Sequence, residues 1–217
     1  TVIGQLPKLE RRYLLSATES EEIPQFTGMN RTTRLNFLDT EEELSERIHI
    51  YKVMSPIKDK LETLYKLLCT LGSESTLVFC NHRESVDRVG KYLQSQKLPC
   101  GIFHGGMEQE DRERSLYKFR NGSCHVLIST DLAARGLDIP DIDHIVHSPM
   151  PIQEDGYIHR NGRTARWEAE GNSYIILHGE ETLPAYVSEE PEIFELPEKT
   201  PKPSQPEFVT LYIGKGK

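Results

Sequence analysis

Three arginines set the chemical question: Arg160, Arg163 and Arg166, spaced three apart in "GYIHRNGRTARW" (156–167) behind a histidine and around a glycine. A guanidinium pairs bidentately with phosphate oxygens, so a cluster of them suits a dense anion such as a polyphosphate. On a helix, a spacing of three advances each side chain by roughly −60°, so the three would fan across one broad face. That pattern fits a solvated helix surface as well as an anion clamp. Other polar punctuation bears on the choice: "CNHR" (80–83), "HGG" (104–106) and "STDLAARGLD" (129–138) each follow an apolar, strand-like run. Gly105 and Gly106 would let backbone amides come close to a ligand. Taken singly, Asp131 could cap a turn, Gly136 could stop a helix and His-Gly-Gly could be a simple turn. Gathered on one edge with Arg135 and the arginine triplet, they favour a face that handles phosphate. A metal is not expected, because the spacing of three between His144 and His147 in "IDHIVH" sends them to opposite faces of a strand.

Such an edge needs a scaffold, and the chain predicts one. "RIHIYKV" (47–53) alternates as a strand. Ser55-Pro56 then reads as a cap and first helical position for a helix carrying Ile57, Leu61, Leu64, Leu68 and Leu71. Strand "TLVFC" (76–80) leads to a helix with Val86, Val89, Gly90 and Leu93, and strand "GIF" (101–103) to a helix over 108–120. Strand "HVLIS" (125–129) leads to a short helical turn, "IDHIV" (142–146) to the arginine helix, and "SYIIL" (173–177) closes the series. Apolar strands alternating with helices predict an α/β fold, a parallel β-sheet flanked by helices on both faces, over residues 46–180. In an open sheet of this kind ligands gather at the carboxyl ends of the strands, where the polar punctuation falls. Residues 1–45 read as the end of a preceding domain and a connecting segment. Residues 181–206 read as a Pro/Glu-rich linker, holding six of the thirteen prolines, and 207–217 as the first strand of a further domain.

Totals constrain partners and compartment. The chain of 217 residues has 36% hydrophobic and 28% charged residues, with no apolar run able to span a bilayer and no signal-like start, so a cytoplasmic protein with no membrane partner is expected. Cys69, Cys80, Cys100 and Cys124 lie far apart beside apolar runs and read as small core residues in a reducing compartment. The net charge of −8 disfavours indiscriminate phosphate binding. Residues 168–217 hold ten acids and four lysines, however, so the first 167 residues carry only −2 and can support a local basic site.

These stretches carry a resemblance. "STDLAARGLDI" and "HRNGRTAR" are similar to the fifth and sixth signature motifs of DEAD-box RNA helicases, "LVFCNHR" to the fourth, "HGGMEQEDR" to the QxxR element, and "SAT" (16–18) to the third motif, which closes the first RecA-like domain. The match runs in order from about 14 to 177, with Asn161 where the family usually has isoleucine and Ala165 where it has glycine. The resemblance implies a second, C-terminal RecA-like domain. Arg163 and Arg166 would be arginine fingers reaching the γ-phosphate of ATP held by the other RecA-like domain, and Asp138 would contact the ribose. His159 and Arg160 would organise the interdomain face, and Ser16 and Thr18 would couple nucleotide state to strand separation. Asn81, Arg83, Gly105, Gln109, Arg112 and Thr130 would grip the RNA backbone. No GxxxxGK[ST] loop and no Asp-Glu-Ala-Asp is present, so ATP with Mg²⁺ is expected to sit mainly on an N-terminal RecA-like domain outside this sequence, and this piece alone is expected to be inactive. "TLYIGKGK" resembles the opening strand of the RNA-binding domain in the DEAD-box protein A subgroup of bacterial helicases. Two other readings stay open: a non-catalytic RNA-binding or partner-docking module on the same fold, and a DNA helicase of the same superfamily.

Overall fold

Strands buried on both faces must be apolar throughout, and "TLVFC" meets that condition, since all five of its residues are buried. The computed structural model describes residues 13–14, 23, 27–29, 32–33, 47–135, 137, 139, 142–165, 169–188 and 190–205. Ser16, Thr18, Asp138, Arg166 and the 207–217 segment, all singled out in the sequence, lie outside the described residues. Contacts divide the chain into two units, Thr1–Glu43 and Leu44–Lys217.

Within the second unit, chain order runs β1 (Ile48–Ser55), α1 (Leu61–Leu71), β2 (Thr76–Cys80), α2 (Arg83–Ser95), β3 (Cys100–Phe103), α3 (Gln109–Arg120), β4 (Val126–Thr130), α4 (Asp131–Ala134), β5 (His144–His147), α5 (Glu154–Asn161), β6 (Gly171–His178) and β7 (Glu192–Ile193). The strands form one sheet in the order β3-β4-β2-β5-β6-β1-β7, and every pairing is parallel. Parallel crossovers are right-handed, so the direction of travel along the sheet decides which face a connecting helix covers. Steps β1→β2 and β2→β3 run one way and bring α1 and α2 onto one face, where Leu64, Leu67, Leu68, Val86, Val89 and Leu93 pack on Val53, Val78, Ile128 and Ile176. The later steps run the other way. They bring α3 and α4 onto the opposite face, where Phe119, Ala133 and Ala134 pack on Leu77, Phe79, Leu127 and Ile145. The helix after β2 therefore covers the opposite face from the helix after its neighbour β4, so the carboxyl ends of β4, β2 and β5 border the crevice where such sheets bind ligands. Burial pushes the thiols of Cys80 and Cys100 up to about 12 and that of Cys124 up to about 11, as suits core cysteines. Among the described residues no helix is long and apolar enough to cross a membrane.

Two expectations need correction. The first helix begins at Leu61, not at Pro56. Ser55 is the last residue of β1, paired with His178, and its hydroxyl donates to the Ile57 carbonyl (2.8 Å) while accepting from Thr63 (2.8 Å). With that oxygen engaged, Ser55 caps nothing, and Ile57 stays 49% exposed. The second correction concerns the Pro/Glu-rich stretch. Its described part is laid along the domain: β7 pairs with β1, the Phe194 amide donates to the Lys52 carbonyl (2.9 Å), and the Phe194 ring packs edge-on to Tyr51 and Tyr174. Lys52 pairs with Glu190 and Lys60 with Glu181, while Ser204 donates to the Gly72 carbonyl (2.9 Å). The prolines are compatible with this because only a two-residue strand needs its donors, and it pairs at an edge.

The fifth strand also starts later than expected, because Ile142 forms a bridge with Thr164 instead of joining the β5 ladder. Thr164 is fully buried and its hydroxyl donates to the Ile142 carbonyl. Gly171 faces it so closely that a Cβ there would stand 2.7 Å from Thr164 Cγ2 and 2.8 Å from its Cβ. Gly171→Ala must therefore push Thr164 and its turn outward. The expected cost is about 1–3 kcal/mol in denaturant unfolding, whereas Gly105→Ala, with nothing within 4 Å of the added carbon, should unfold like the parent chain.

Candidate functional site

Arg160 lies in the last turn of α5 with none of its side chain exposed. Its Nε donates to Asp131 Oδ1 (2.6 Å) and Nη2 to Asp131 Oδ2 (2.8 Å), a bidentate pair. Nη2 also donates to Asn81 Oδ1 (2.7 Å) and Nη1 to the Pro149 carbonyl (2.8 Å), and the guanidinium lies 5.1 Å over the Phe79 ring. Asn81 follows β2, Asp131 follows β4 and Pro149 follows β5, so one buried cation ties together the ends of three adjacent strands.

Beneath it, Nη1 lies 3.4 Å from His147 Nδ1. Arginine only donates, so Nδ1 accepts and the imidazole proton sits on Nε2, facing Asn161 Oδ1 (3.2 Å) and Ser173 Oγ (3.0 Å). The Ser173 hydroxyl donates to Asn161 Oδ1 as well (2.9 Å). Burial, reinforced by the Arg160 charge, lowers the His147 pKa to about 3. His144 points to the other face, where it meets Glu74 and packs edge-on to Tyr174.

The arginines do not fan across one helical face. The helix stops at Asn161, and Gly162 and Arg163 turn with amides donating to the carbonyls of Ile158 (2.8 Å) and Arg160 (3.1 Å). Arg160 points inward, with its side chain buried in the domain's interior. Arg163 is half-buried and lines a small cleft with Phe79, Asp131, Ala134, Arg135, His159 and Arg160. His159, also half-buried, donates through Nδ1 to the Asp155 carbonyl. Ala165, where the resembled family has glycine, is buried in the left-handed region with φ 53°, which costs a non-glycine residue roughly 1 kcal/mol.

The residues expected to hold RNA divide into two groups. Asn81 has its side chain committed inside, accepting from Arg160 and donating to the Met150 carbonyl (3.2 Å). Thr130 caps α4 through the Ala133 amide (3.4 Å), the role that Asp131 was a candidate for. Arg83, Gln109 and Gly105 face solvent. Arg83 pairs with Glu84 (2.8 Å), Gln109 donates to Glu113 (2.8 Å), and Arg112 stacks 4.8 Å over the Phe103 ring with Nη1 3.5 Å from Gln109. The Gly106 amide donates to Nδ1 of buried His104 (3.1 Å), whose Nε2 donates to Asp87 (3.1 Å), so it is Gly105 that presents open backbone.

In the sequence, Asp131 and His104 stand out only as members of polar loops and His147 only as a candidate metal ligand. Pro149, Ser173 and Asp87 were missed altogether, since none of them stands in a motif.

Two outcomes follow. Asp131→Ala removes the carboxylate that balances a guanidinium with no exposed surface, so the isolated chain should lose about 3–5 kcal/mol in urea unfolding. His147 contributes a pH dependence. Between pH 6.5 and about 3 the unfolded chain binds a proton on this imidazole that the folded chain refuses, so stability falls as the solution is acidified through that window. Unfolding measured from pH 7 to pH 4 should show a slope up to about 1.4 kcal/mol per pH unit steeper for the parent than for His147→Gln.

Comparison with known proteins matches this geometry. Residues 59–168 match the family described as helicase conserved C-terminal domain. The chain is 34% identical over 174 residues to eukaryotic initiation factor 4A of Cryptosporidium parvum, an alignment covering 79% of this chain and 43% of that protein. The structure of the E. coli DEAD-box protein SrmB bound to regulator of ribonuclease activity A superposes with a TM-score of 0.63 at 29% identity, covering 74% of this chain and 98% of that one. S. cerevisiae Dbp5 bound to RNA and ADP BeF3 gives 0.61 at 26% identity, over 76% and 44%. The chain spans less than half the length of the curated relatives it matches. The sheet and the family match agree: the chain belongs to the helicase conserved C-terminal domain family, as a RecA-like domain of the DEAD-box kind.

Proposed function

We propose that this chain is the C-terminal half of an ATP-dependent RNA helicase, supplying arginine fingers for ATP hydrolysis and part of the grip on the RNA backbone. The observation that carries the reading is the place of Arg163, half-buried in the turn after Arg160 and lining the cleft at the strand ends with Arg135 and His159. A guanidinium held there suits a phosphoryl group brought by a second domain, because charge spreads over the equatorial oxygens as the bond breaks. Arg166 is the second finger in this reading and Asp138 the ribose contact. ATP, with Mg²⁺, is held mainly by the first RecA-like domain, and Ser16 and Thr18 couple the two. Arg83, Gly105, Gln109 and Arg112 supply the RNA contacts of this half, and Gly105 supports that role because no Cβ would clash there within the domain. Asn81 and Thr130 act indirectly, through the loops they shape. A DEAD-box protein A-like domain beginning near 207 would then choose a structured RNA, in the cytoplasm.

A pure RNA-binding module needs no finger, and a DNA helicase would not favour RNA. With the first domain restored, Arg163→Ala should lower RNA-stimulated ATP turnover about 10³-fold while RNA affinity changes far less, and RNA should compete better than DNA of the same sequence. The isolated chain should show no RNA-stimulated turnover. Full turnover by Arg163→Ala would refute the finger.

A further inference from the structure

The polar column under Arg160 does not end in the core. Tyr157, on α5, stacks on His147 with ring centroids 5.3 Å apart and planes at 29°. Tyr186 lies 5.5 Å beyond Tyr157 at 40°, and its hydroxyl donates to the Pro151 carbonyl. Pro151 in turn abuts the start of α5: a Cβ on Gly156 would stand 2.9 Å from Pro151 Cβ. Tyr186 thus touches both the helix that carries Arg160 and the loop whose Pro149 carbonyl Arg160 holds. It belongs to the strap that leaves β6 and is pinned on both sides, by Glu181 to Lys60 and by Glu190 to Lys52. Three aromatic rings and one hydroxyl therefore run from the strap to the buried guanidinium, and Arg163 follows one turn later.

We propose that Tyr186 is a positioning residue for the arginine site, a latch by which the 181–194 strap fixes the angle of α5 and so the reach of Arg163. This rests on the helicase reading above. The latch touches neither nucleotide nor RNA; its effect passes through Tyr157 and the Pro151 loop. Misplacing a catalytic group by a fraction of an ångström costs rate more than binding, so the signature is a loss in kcat with KM little changed.

The test uses the two-domain protein, with RNA-stimulated ATP turnover measured beside RNA binding. Tyr186→Ala should lower kcat about 10-fold, with KM for ATP and the RNA Kd within about twofold of the parent. Tyr186→Phe, which keeps the ring and loses only the bond to Pro151, should recover most of that loss. Ser204→Ala, beyond the strap, should turn over like the parent. The latch is overturned if Tyr186→Ala keeps its full kcat while Arg163→Ala has lost it, or if kcat and RNA affinity fall while KM rises, as in a general loosening. Should Tyr186→Ala not fold, Tyr186→Leu and Tyr186→Phe decide: the latch predicts a lower kcat for the leucine than for the phenylalanine, and equal values overturn it. Unimpaired turnover by Arg163→Ala would instead remove the helicase reading, and the latch with it.

Discussion

A guanidinium with no exposed surface keeps its charge only if acceptors replace the water it has lost. For Arg160 those acceptors come from the ends of three different strands: a carboxylate after β4, an amide oxygen after β2 and a carbonyl after β5. The charge therefore works as a staple across the carboxyl ends of three adjacent strands. Without it the three loops would share no partner, and the turn after α5 would have no fixed origin. The staple is a buried ion pair of the kind that contributes little net stability but is costly to break on one side. What it secures here is geometry.

That geometry reconciles the opening pattern of arginines with the fold. Equal spacing suggested equal roles, yet the helix stops at Asn161 and the next residues turn. Arg160 is spent inward, and Arg163 is carried to the cleft by a turn whose own anchor is the Ile142–Thr164 bridge against Gly171. The departures from the resembled family sit in this same region. Asn161 turns a position expected to be apolar into a partner for His147 and Ser173, and the neutral imidazole it holds offers Arg160 one more acceptor. Ala165 adopts a backbone conformation that glycine reaches without strain.

Much of this was legible in the residues, for physical reasons. Buried parallel strands must be continuous apolar runs, so "TLVFC", "HVLIS" and "SYIIL" announced themselves, and polar loops at their ends marked the binding edge. The inward turn of Arg160 was not legible, because its partners lie 29 and 79 positions away and only the strand order brings them together. The start of α1 was misread for a local reason, since Ser55 spends its hydroxyl on the strand exit. The strap was misread because a two-residue strand among prolines and glutamates has the composition of a linker, and Phe194 and Leu196 are too few to form a pattern.

Arg160 ties the strand-end loops of its own domain together, and Arg163 lies half-buried on the cleft beyond it. Denaturant unfolding of the isolated domain with Arg160→Met and Arg163→Met, side by side, tests this arrangement most directly. The account predicts that the first loses at least about 2 kcal/mol more than the second, since only the first strands Asp131, Asn81 and Pro149 without their donor. Equal losses, or a larger loss at Arg163, would contradict it.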